Sequence, residues 1–145
     1  MSEAFDLDRF VAAQDQHGTY EAAVAELRAG RKRSHWMWFV FPQIAGLGQS
    51  PISRRYAISS LAEAQAYLAH EVLGPRLVEC ARIVGDLNAP SAEDIFGGID
   101  AMKLRSSMTL FARADPTNPV FGQVLEAYFG GEADQATDRL LAAHA

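Results

Sequence analysis

The sequence predicts an all-α fold, a single multihelical domain of about seven helices that spans residues 1–145. The length of 145 residues fits one domain. A content of 49% hydrophobic and 21% charged residues is that of an ordinary globular protein. Apolar residues also recur every three or four positions, which is the period of a helix with one buried face. The pattern is found at Leu77, Ala81 and Val84, and again at Leu104, Met108 and Phe111.

The first two helices are predicted from their end signals. Asp6 can accept hydrogen bonds as the N-cap of the first helix, which ends before Gly18. Thr19 is the expected N-cap of the second helix, over residues 20–29, and Gly30 follows as its C′ residue.

The stretch that follows is aromatic and difficult to assign from sequence alone. Residues 36–41 combine aromatic and β-branched side chains before a proline, which favours a short strand or extended segment within the otherwise helical fold. A core-packing segment is the alternative. Residues 44–51 read as a loop because of their glycines and proline, and 52–59 are expected to continue it irregularly.

The second half of the chain is predicted to be helical throughout. Ser60 and Glu63 form a capping-box pattern at the start of a helix that extends to His70. The remaining predicted elements are a helix with Pro75 at its first position, a short turn capped by Ser91, a helix over 101–112 capped by Asp100, a helix over 118–129 and a last helix from Asp134.

Charge is unevenly distributed along the chain. Residues 27–62 contain no Asp or Glu but include Arg28, Arg31, Lys32, Arg33, Arg54 and Arg55. The rest of the chain therefore has seven basic against 18 acidic residues, a net charge of −11, although the whole protein has −5. Such a run is either a solvated basic face or a site that attracts anions.

Several classes of function find no support in the sequence. The acidic N-terminus does not resemble a secretory signal, and the longest apolar run, 36–41, is too short to span a membrane. A single cysteine fits a reducing compartment, so a cytoplasmic location is expected. No cofactor is predicted, because Gly46-Leu47-Gly48 alone is too weak a dinucleotide motif. No metal site is predicted either, because zinc-ligand spacing is absent among His17, His35, His70, His144 and Cys80. Cys80 itself is expected to be a buried, unreactive thiol.

A second constellation lies in the helix that follows Asp100. Lys103 is three and four residues from Ser106 and Ser107, so their side chains can meet on one helix face. A lysine can activate a serine nucleophile, although the familiar order is Ser-x-x-Lys. The alternative is an exposed lysine beside serines that pack between helices.

Several motifs together resemble a family of uncharacterised small helical proteins from bacteria and fungi. They are His-Trp-x-Trp-Phe-x-Phe-Pro-Gln at 35–43, Leu-Gly-x-Ser at 47–50, Tyr-x-Ile at 56–58, Glu-Ala-x-Ala-Tyr-Leu at 63–68, Leu-Gly-Pro-Arg-Leu at 73–77 and Phe-Gly-x-x-Asp-x-x-Lys-Leu-x-Ser-Ser-x-Thr-Leu-Phe at 96–111. The likeness covers nearly the whole chain and extends to a mycobacterial member of this length. Some members carry a calpastatin label that nothing in this sequence supports. The resemblance implies an all-helical fold and no known activity.

The leading hypothesis is a small pocket for an anionic, nucleotide-like metabolite, with catalysis left open. The predicted binding residues are Trp36, Trp38, Gln43, Arg54, Tyr56, Lys103, Ser106 and Ser107, and the candidates for acid–base chemistry are His35, Asp100 and Lys103. The alternative is a non-enzymatic module that docks RNA or an acidic protein through the basic stretch 28–55. No membrane contact is expected, and the oligomeric state is left open.

Overall fold

The computed structural model describes residues 5–143 and is helical, as predicted. Ten α-helices lie within this part of the chain, and seven of them have eight or more residues. Their bounds are α1 Asp8–Asp15, α2 Thr19–Arg28, α3 Met37–Val40, α4 Pro51–Arg55, α5 Leu61–Ala69, α6 Leu73–Asp86, α7 Ala92–Phe96, α8 Gly98–Ala114, α9 Val120–Phe129 and α10 Gln135–Ala143. A single turn of 3-10 helix, Gln16–Gly18, joins α1 to α2.

Helix α8 is the centre of the arrangement. It packs against α5, α7, α9 and α10, while α6 packs against α2, α5 and α9 on the other side of the core. Seven consecutive residues of α8, from Ser106 to Ala112, include six that are buried, so this helix is enclosed over its middle. Its N-terminal turn, by contrast, exposes Ile99 and Met102.

Two of the predicted N-caps are confirmed. The Ser60 hydroxyl accepts a hydrogen bond from the Glu63 amide at 3.2 Å, and Ser91 does the same for Asp94 at 3.1 Å. The carboxylate of Glu63 accepts from the Ser59 amide at 2.8 Å and pairs with Arg9 at 3.0 Å. Glu63 therefore joins α5 to α1 in addition to closing its own helix.

Several predicted starts are displaced by one to three residues. Helix α6 begins at Leu73, so Pro75 is its third residue and not its first. Helix α1 has Leu7 and not Asp6 at its N-cap position, and α2 has Gly18 and not Thr19. Helix α8 begins at Gly98, so Asp100 lies inside its first turn and is not the N-cap. This shift matters for the site, because the Asp100 carboxylate is then available to side chains outside its own helix.

The expectation of an extended segment at 36–41 is wrong. Residues Met37–Val40 form a single helical turn instead, although the local preference of aromatic and β-branched residues is for strands. The backbone then reverses, and a parallel bridge joins Ile44 to Ile58. This bridge is formed by two backbone hydrogen bonds of 2.8 Å, from Ala45 to Ile58 and from Ile58 to Gln43.

The irregular structure expected over 52–59 is also corrected in part. Pro51–Arg55 is a short helix whose N-cap, Ser50, accepts a hydrogen bond from the Ser53 amide at 3.2 Å. Proline at the first helical position loses no hydrogen bond, so Ser50-Pro51 is a proper start signal. Among residues 5–143, no helix is both long enough and apolar enough to cross a membrane.

Candidate functional site

The two constellations singled out in the sequence meet at Asp100. One oxygen of its carboxylate lies 2.9 Å from the Lys32 ammonium, and the other lies 3.3 Å from the Lys103 ammonium. Lys32 precedes the aromatic stretch by a few residues, whereas Asp100 and Lys103 belong to the first turns of α8. The carboxylate therefore links two segments that are far apart in the chain.

Each of the two lysines also lies over an indole ring. The Lys32 ammonium is 5.0 Å from the centroid of Trp36, and the Lys103 ammonium is 4.8 Å from that of Trp38. A cation over an indole face is attracted by the ring quadrupole, and more strongly when both groups are shielded from water. These contacts hold both ammonium groups in defined positions.

Glu26 anchors the segment that leads into the aromatic stretch. Its carboxylate accepts hydrogen bonds from the amides of Arg33 and Ser34, from the Ser34 hydroxyl and, at 2.9 Å, from the indole N–H of Trp36. Burial alone would raise the pKa of Glu26, but these donors outweigh it and lower the pKa to about 2. The otherwise unpaired indole N–H of a fully buried tryptophan thus finds a charged acceptor.

A cleft opens beside the N-terminal half of α8, and we call it the α8 cleft. Its volume is about 340 Å³, which is within the range of small-molecule sites. It is lined by Gln43, Leu47, Gly48, Ser53, Ile99, Met102, Lys103, Arg105, Ser106, Asp134 and Ala136. Six of these eleven residues are polar or charged, but most of the surface that the lining exposes is apolar.

Glycine determines the shape of the loop that forms one wall of the α8 cleft. A Cβ at position 48 would lie 2.5 Å from the Cβ of Ser53, so only glycine lets the loop approach α4 this closely. Gly46 has φ of +106° and lies against Leu140 of α10, a conformation that side-chain-bearing residues rarely adopt. The wall is therefore set by the backbone of residues 46–48.

The charged groups of the α8 cleft lie on α8 and just before α10. Arg105 donates to the backbone carbonyls of Glu132 and Ala133 at 3.0 and 3.1 Å. The Ser106 hydroxyl lies 3.2 Å from both the Met102 carbonyl and Asp134 Oδ2, and these two acceptors share its one proton. Lys103 lines the same cleft and lies one helical turn before Ser106.

The predicted site residues fall into three groups. Gln43, Lys103 and Ser106 line the α8 cleft, and a smaller recess next to it is bounded by Trp38, Tyr56 and again Gln43. Trp36 and Ser107 are completely buried and contribute to the core. His35 and Arg54 are exposed, and Arg54 donates to the Gln49 side chain at 3.2 Å.

Burial gives a physical reason to revise the role of Trp36. A ring with no exposed surface, bound to Glu26 and packed on Phe41 and Phe96, offers no face to a ligand. The Trp38 ring keeps partial exposure, but the Lys103 ammonium lies over it. Stacking of a ligand on Trp36 is therefore not available in this conformation.

No hydrogen bond joins Lys103 to Ser106 or Ser107 among the described residues. The Lys103 ammonium faces Asp100 and Trp38, and the buried Ser107 hydroxyl has no hydrogen-bond partner within residues 5–143. The arrangement of a lysine base beside a serine nucleophile is thus not formed.

Cys80 is buried, and burial raises the pKa of its thiol to about 12, which leaves it protonated and unreactive at neutral pH.

Folding also divides the basic stretch. Arg28 lies 3.7 Å from Glu79, and Lys32 is bound to Asp100. Arg31 borders an open groove together with Glu93 and Asp94. Acids from other helices thus pair with two of the six basic residues of this stretch, Arg28 and Lys32.

Comparison with known protein families adds an independent line of information. Residues 4–141 match the family described as "Protein of unknown function (DUF1810)". The chain belongs to the DUF1810 family. The resemblance seen in the sequence is thereby confirmed, and the DUF1810 match covers both the aromatic stretch and the whole of α8.

A solved structure shares the fold of this DUF1810 protein. The crystal structure of the conserved hypothetical protein Rv1873 from Mycobacterium tuberculosis is 58% identical in sequence and superposes with a TM-score of 0.93. The alignment covers 97% of this chain and 99% of that one. A comparison with curated proteins gives no significant match. These findings establish the family and the fold.

Sequence reasoning missed several members of this site. Glu26, Lys32, Arg105 and Asp134 were not singled out as site residues, and their partners lie in other helices. Ser53 could have been found, because Ser50-Pro51 signals a helix start that places Ser53 in its first turn.

His144, one of the four histidines considered for metal binding, lies outside the described residues. Within residues 5–143, no three His, Cys, Asp or Glu side chains are grouped so that they could hold a metal ion.

Proposed function

We propose that the α8 cleft binds a small metabolite with an anionic group and a flat or apolar body. The observation that carries the proposal is the Lys103 ammonium, which lines the cleft while Asp100 and Trp38 hold it in place. A cation whose position is fixed before binding loses little conformational freedom when an anion arrives. Lys103 retains about a fifth of its side-chain surface, so an incoming group can reach it.

The apolar part of the ligand would contact the exposed side of α8. Ile99 and Met102 are 76% and 73% exposed, although both are large hydrophobic residues. They line the α8 cleft opposite Leu47. A nucleotide-like ligand would satisfy both requirements, with its phosphate at Lys103 and its base between these apolar side chains. Methionine suits this role because its flexible thioether adapts to a planar surface.

The proposal is for binding, with catalysis left open. Of the three candidates for acid–base chemistry, only Lys103 lines the α8 cleft, whereas Asp100 pairs with both lysines and His35 is on the exposed loop before α3. The alternative function, docking of RNA or an acidic protein through residues 28–55, would depend on the exposed Arg31, Arg33, Arg54 and Arg55. The experiment described next distinguishes this docking function from ligand binding in the α8 cleft.

The experiment measures ligand-induced thermal stabilisation and dissociation constants by calorimetry. The probes are AMP, purine riboside 5′-monophosphate, 3-phenylpropionate and inorganic phosphate. We expect the first three to bind and phosphate alone to bind more weakly, because it lacks an apolar body. Lys103→Met should weaken binding by at least about tenfold, which corresponds to roughly 1.4 kcal/mol. The matched control is Arg82→Met, since Arg82 is an exposed basic residue on α6 that does not line the α8 cleft.

Equal binding by the wild type and Lys103→Met would contradict the proposal, as would a lack of binding by all four probes. RNA binding that falls steeply with salt, and is lost in Arg54→Ala/Arg55→Ala but not in Lys103→Met, would favour the interaction module.

A further inference from the structure

Asp134 lines the α8 cleft, and within residues 5–143 only one of its two carboxylate oxygens accepts hydrogen bonds. Its Oδ2 atom accepts three hydrogen bonds, from the Ser106 hydroxyl at 3.2 Å, the Thr137 amide at 3.0 Å and the Thr137 hydroxyl at 2.6 Å. Its Oδ1 atom accepts none from the part of the chain that the structure describes. Asp134 is half-buried and lines the α8 cleft.

The start of α10 explains why hydrogen bonds are made to Oδ2 and not to Oδ1. Thr137 is the third residue of α10, so its amide is one of the unsatisfied donors at the start of that helix. Asp134 caps this amide with Oδ2, and the buried Thr137 hydroxyl binds the same atom. The carboxylate is thus held in one orientation, which leaves Oδ1 as the atom available to a ligand.

The available oxygen is only an acceptor. An ionised carboxylate accepts hydrogen bonds and cannot donate them. In a cleft whose exposed lining is mostly apolar, an oxygen of this kind favours a ligand that brings an N–H donor and disfavours one that brings a lone pair. Lys103, one helical turn before Ser106 on α8, imposes the opposite requirement on the other part of the ligand.

We infer that the ligand of the α8 cleft carries an N–H donor in addition to its anionic group, and that Asp134 Oδ1 recognises this donor. The inference rests on the proposed function of the cleft. The donor is either the exocyclic amine of a nucleobase or the ammonium of an amino acid, and both supply the same hydrogen bond. The cleft thereby selects amino-bearing anions over analogues that lack the amine.

Asp134→Asn is the sharpest test, because the fold determines how the amide must be oriented. The Thr137 amide and hydroxyl both donate to the Oδ2 position, so the carbonyl oxygen of Asn must occupy it. The NH₂ group then takes the Oδ1 position and replaces an acceptor by a donor. Asn caps helices about as well as Asp, so α10 keeps its start. Asp134→Ser provides a second variant that retains a capping oxygen and has no atom equivalent to Oδ1.

The experiment compares two pairs of probes by calorimetry. AMP is paired with purine riboside 5′-monophosphate, which lacks the 6-amino group, and phenylalanine is paired with 3-phenylpropionate. In at least one pair, the amino-bearing member should bind the wild type about tenfold more tightly. This preference should disappear in Asp134→Ser and disappear or reverse in Asp134→Asn. The pair that shows it identifies the source of the amine.

The results separate this inference from the proposed function. If both members of each pair bind equally well to the wild type and lose affinity in Lys103→Met, the cleft binds anions but Asp134 does not select among them. A preference that survives in both Asp134 variants would overturn the inference as well. If no probe binds, the proposed function fails, and the inference fails with it.

Discussion

Asp100 pairs with two lysines that repeat the same chemistry in different surroundings. The inner arm consists of Lys32 and Trp36, and the Lys32 side chain is only 8% exposed while Trp36 is fully buried. The outer arm consists of Lys103 and Trp38, and both keep part of their surface at the α8 cleft or the recess beside it. In each arm an ammonium group lies over an indole and binds one oxygen of the same carboxylate.

The two arms share their chemistry but differ in burial, so residue chemistry alone does not identify a site. The inner arm has further structural contacts, because Glu26 binds the Trp36 indole and the Lys32 amide donates to the Ile95 carbonyl at 2.7 Å. Within residues 5–143 the side chains of the outer arm have no comparable hydrogen bonds, and they border a cavity. We therefore expect substitutions in the inner arm to change mainly the free energy of unfolding, and those in the outer arm to change mainly ligand affinity.

Replacement of Trp36 should have the largest effect. Trp36→Ala removes a fully buried ring and leaves the Glu26 carboxylate without one donor, so the free energy of unfolding should fall by about 3–5 kcal/mol. Trp38→Ala, the matched change in the outer arm, should cost less than half as much. Urea denaturation followed by circular dichroism measures both. Equal losses would remove the distinction between the arms.

Asp100→Asn tests the group that the two arms share. It leaves the poorly exposed Lys32 ammonium without its carboxylate, and charged hydrogen bonds contribute about 1.5–3 kcal/mol, so we expect a loss near 2 kcal/mol. Lys103 should also lose its fixed position, and ligand affinity should fall with it. A variant as stable as the wild type would mean that the Asp100 ion pairs do not stabilise the fold.

Glu26 should make the free energy of unfolding depend on pH in the acidic range, through its hydrogen bond to the inner arm. Its pKa is lowered from the ordinary 4.5 to about 2 in the folded protein, so its contribution is complete above about pH 5 and is lost as the pH falls toward 2. Glu26→Gln should lower the free energy of unfolding by about 1–2 kcal/mol at pH 7. The difference between wild type and variant should shrink at pH 3. A difference that stays constant from pH 7 to pH 3 would show that the carboxylate charge is not involved.

Lys103→Met should have the smallest effect on stability. The ammonium is partly exposed, and Asp100 keeps Lys32 as a partner, so the free energy of unfolding should change by less than about 1 kcal/mol. Thermal denaturation without ligand measures this change. A loss as large as that of Asp100→Asn would assign Lys103 to the structural framework and weaken the case for the α8 cleft.

Much of the fold is encoded locally and could therefore be predicted. Ser60 and Ser91 cap helices through contacts within three residues, and the stripe of Leu104, Met108 and Phe111 is fully buried as its spacing indicates. The helical turn Met37–Val40 could not be predicted, because its local preference is for a strand. Residues distant in the sequence bind this turn, since the side chains of Gln14 and Tyr67 donate to the Phe39 carbonyl at 2.8 and 3.3 Å.

The candidate site could be predicted only in part, because ion pairs between distant residues leave no local signal. The sequence indicated Lys103, Ser106 and Gln43, which do line the α8 cleft. It did not indicate that Lys32 and Lys103 share Asp100, or that Ser106 binds Asp134 at the start of α10. The prominence of Trp36 in the sequence reflects its position in the core.

The loop at the wall of the α8 cleft assigns its backbone course and its contact surface to different residues. Gly46 and Gly48 fix the course of the backbone, whereas Leu47, between them, supplies the side chain that lines the cleft. Substitution at Leu47 can therefore alter which ligands fit while the loop keeps its path and its contacts with α4 and α10. Position 47 is the place where members of a family built on this loop could acquire new specificities at little structural cost.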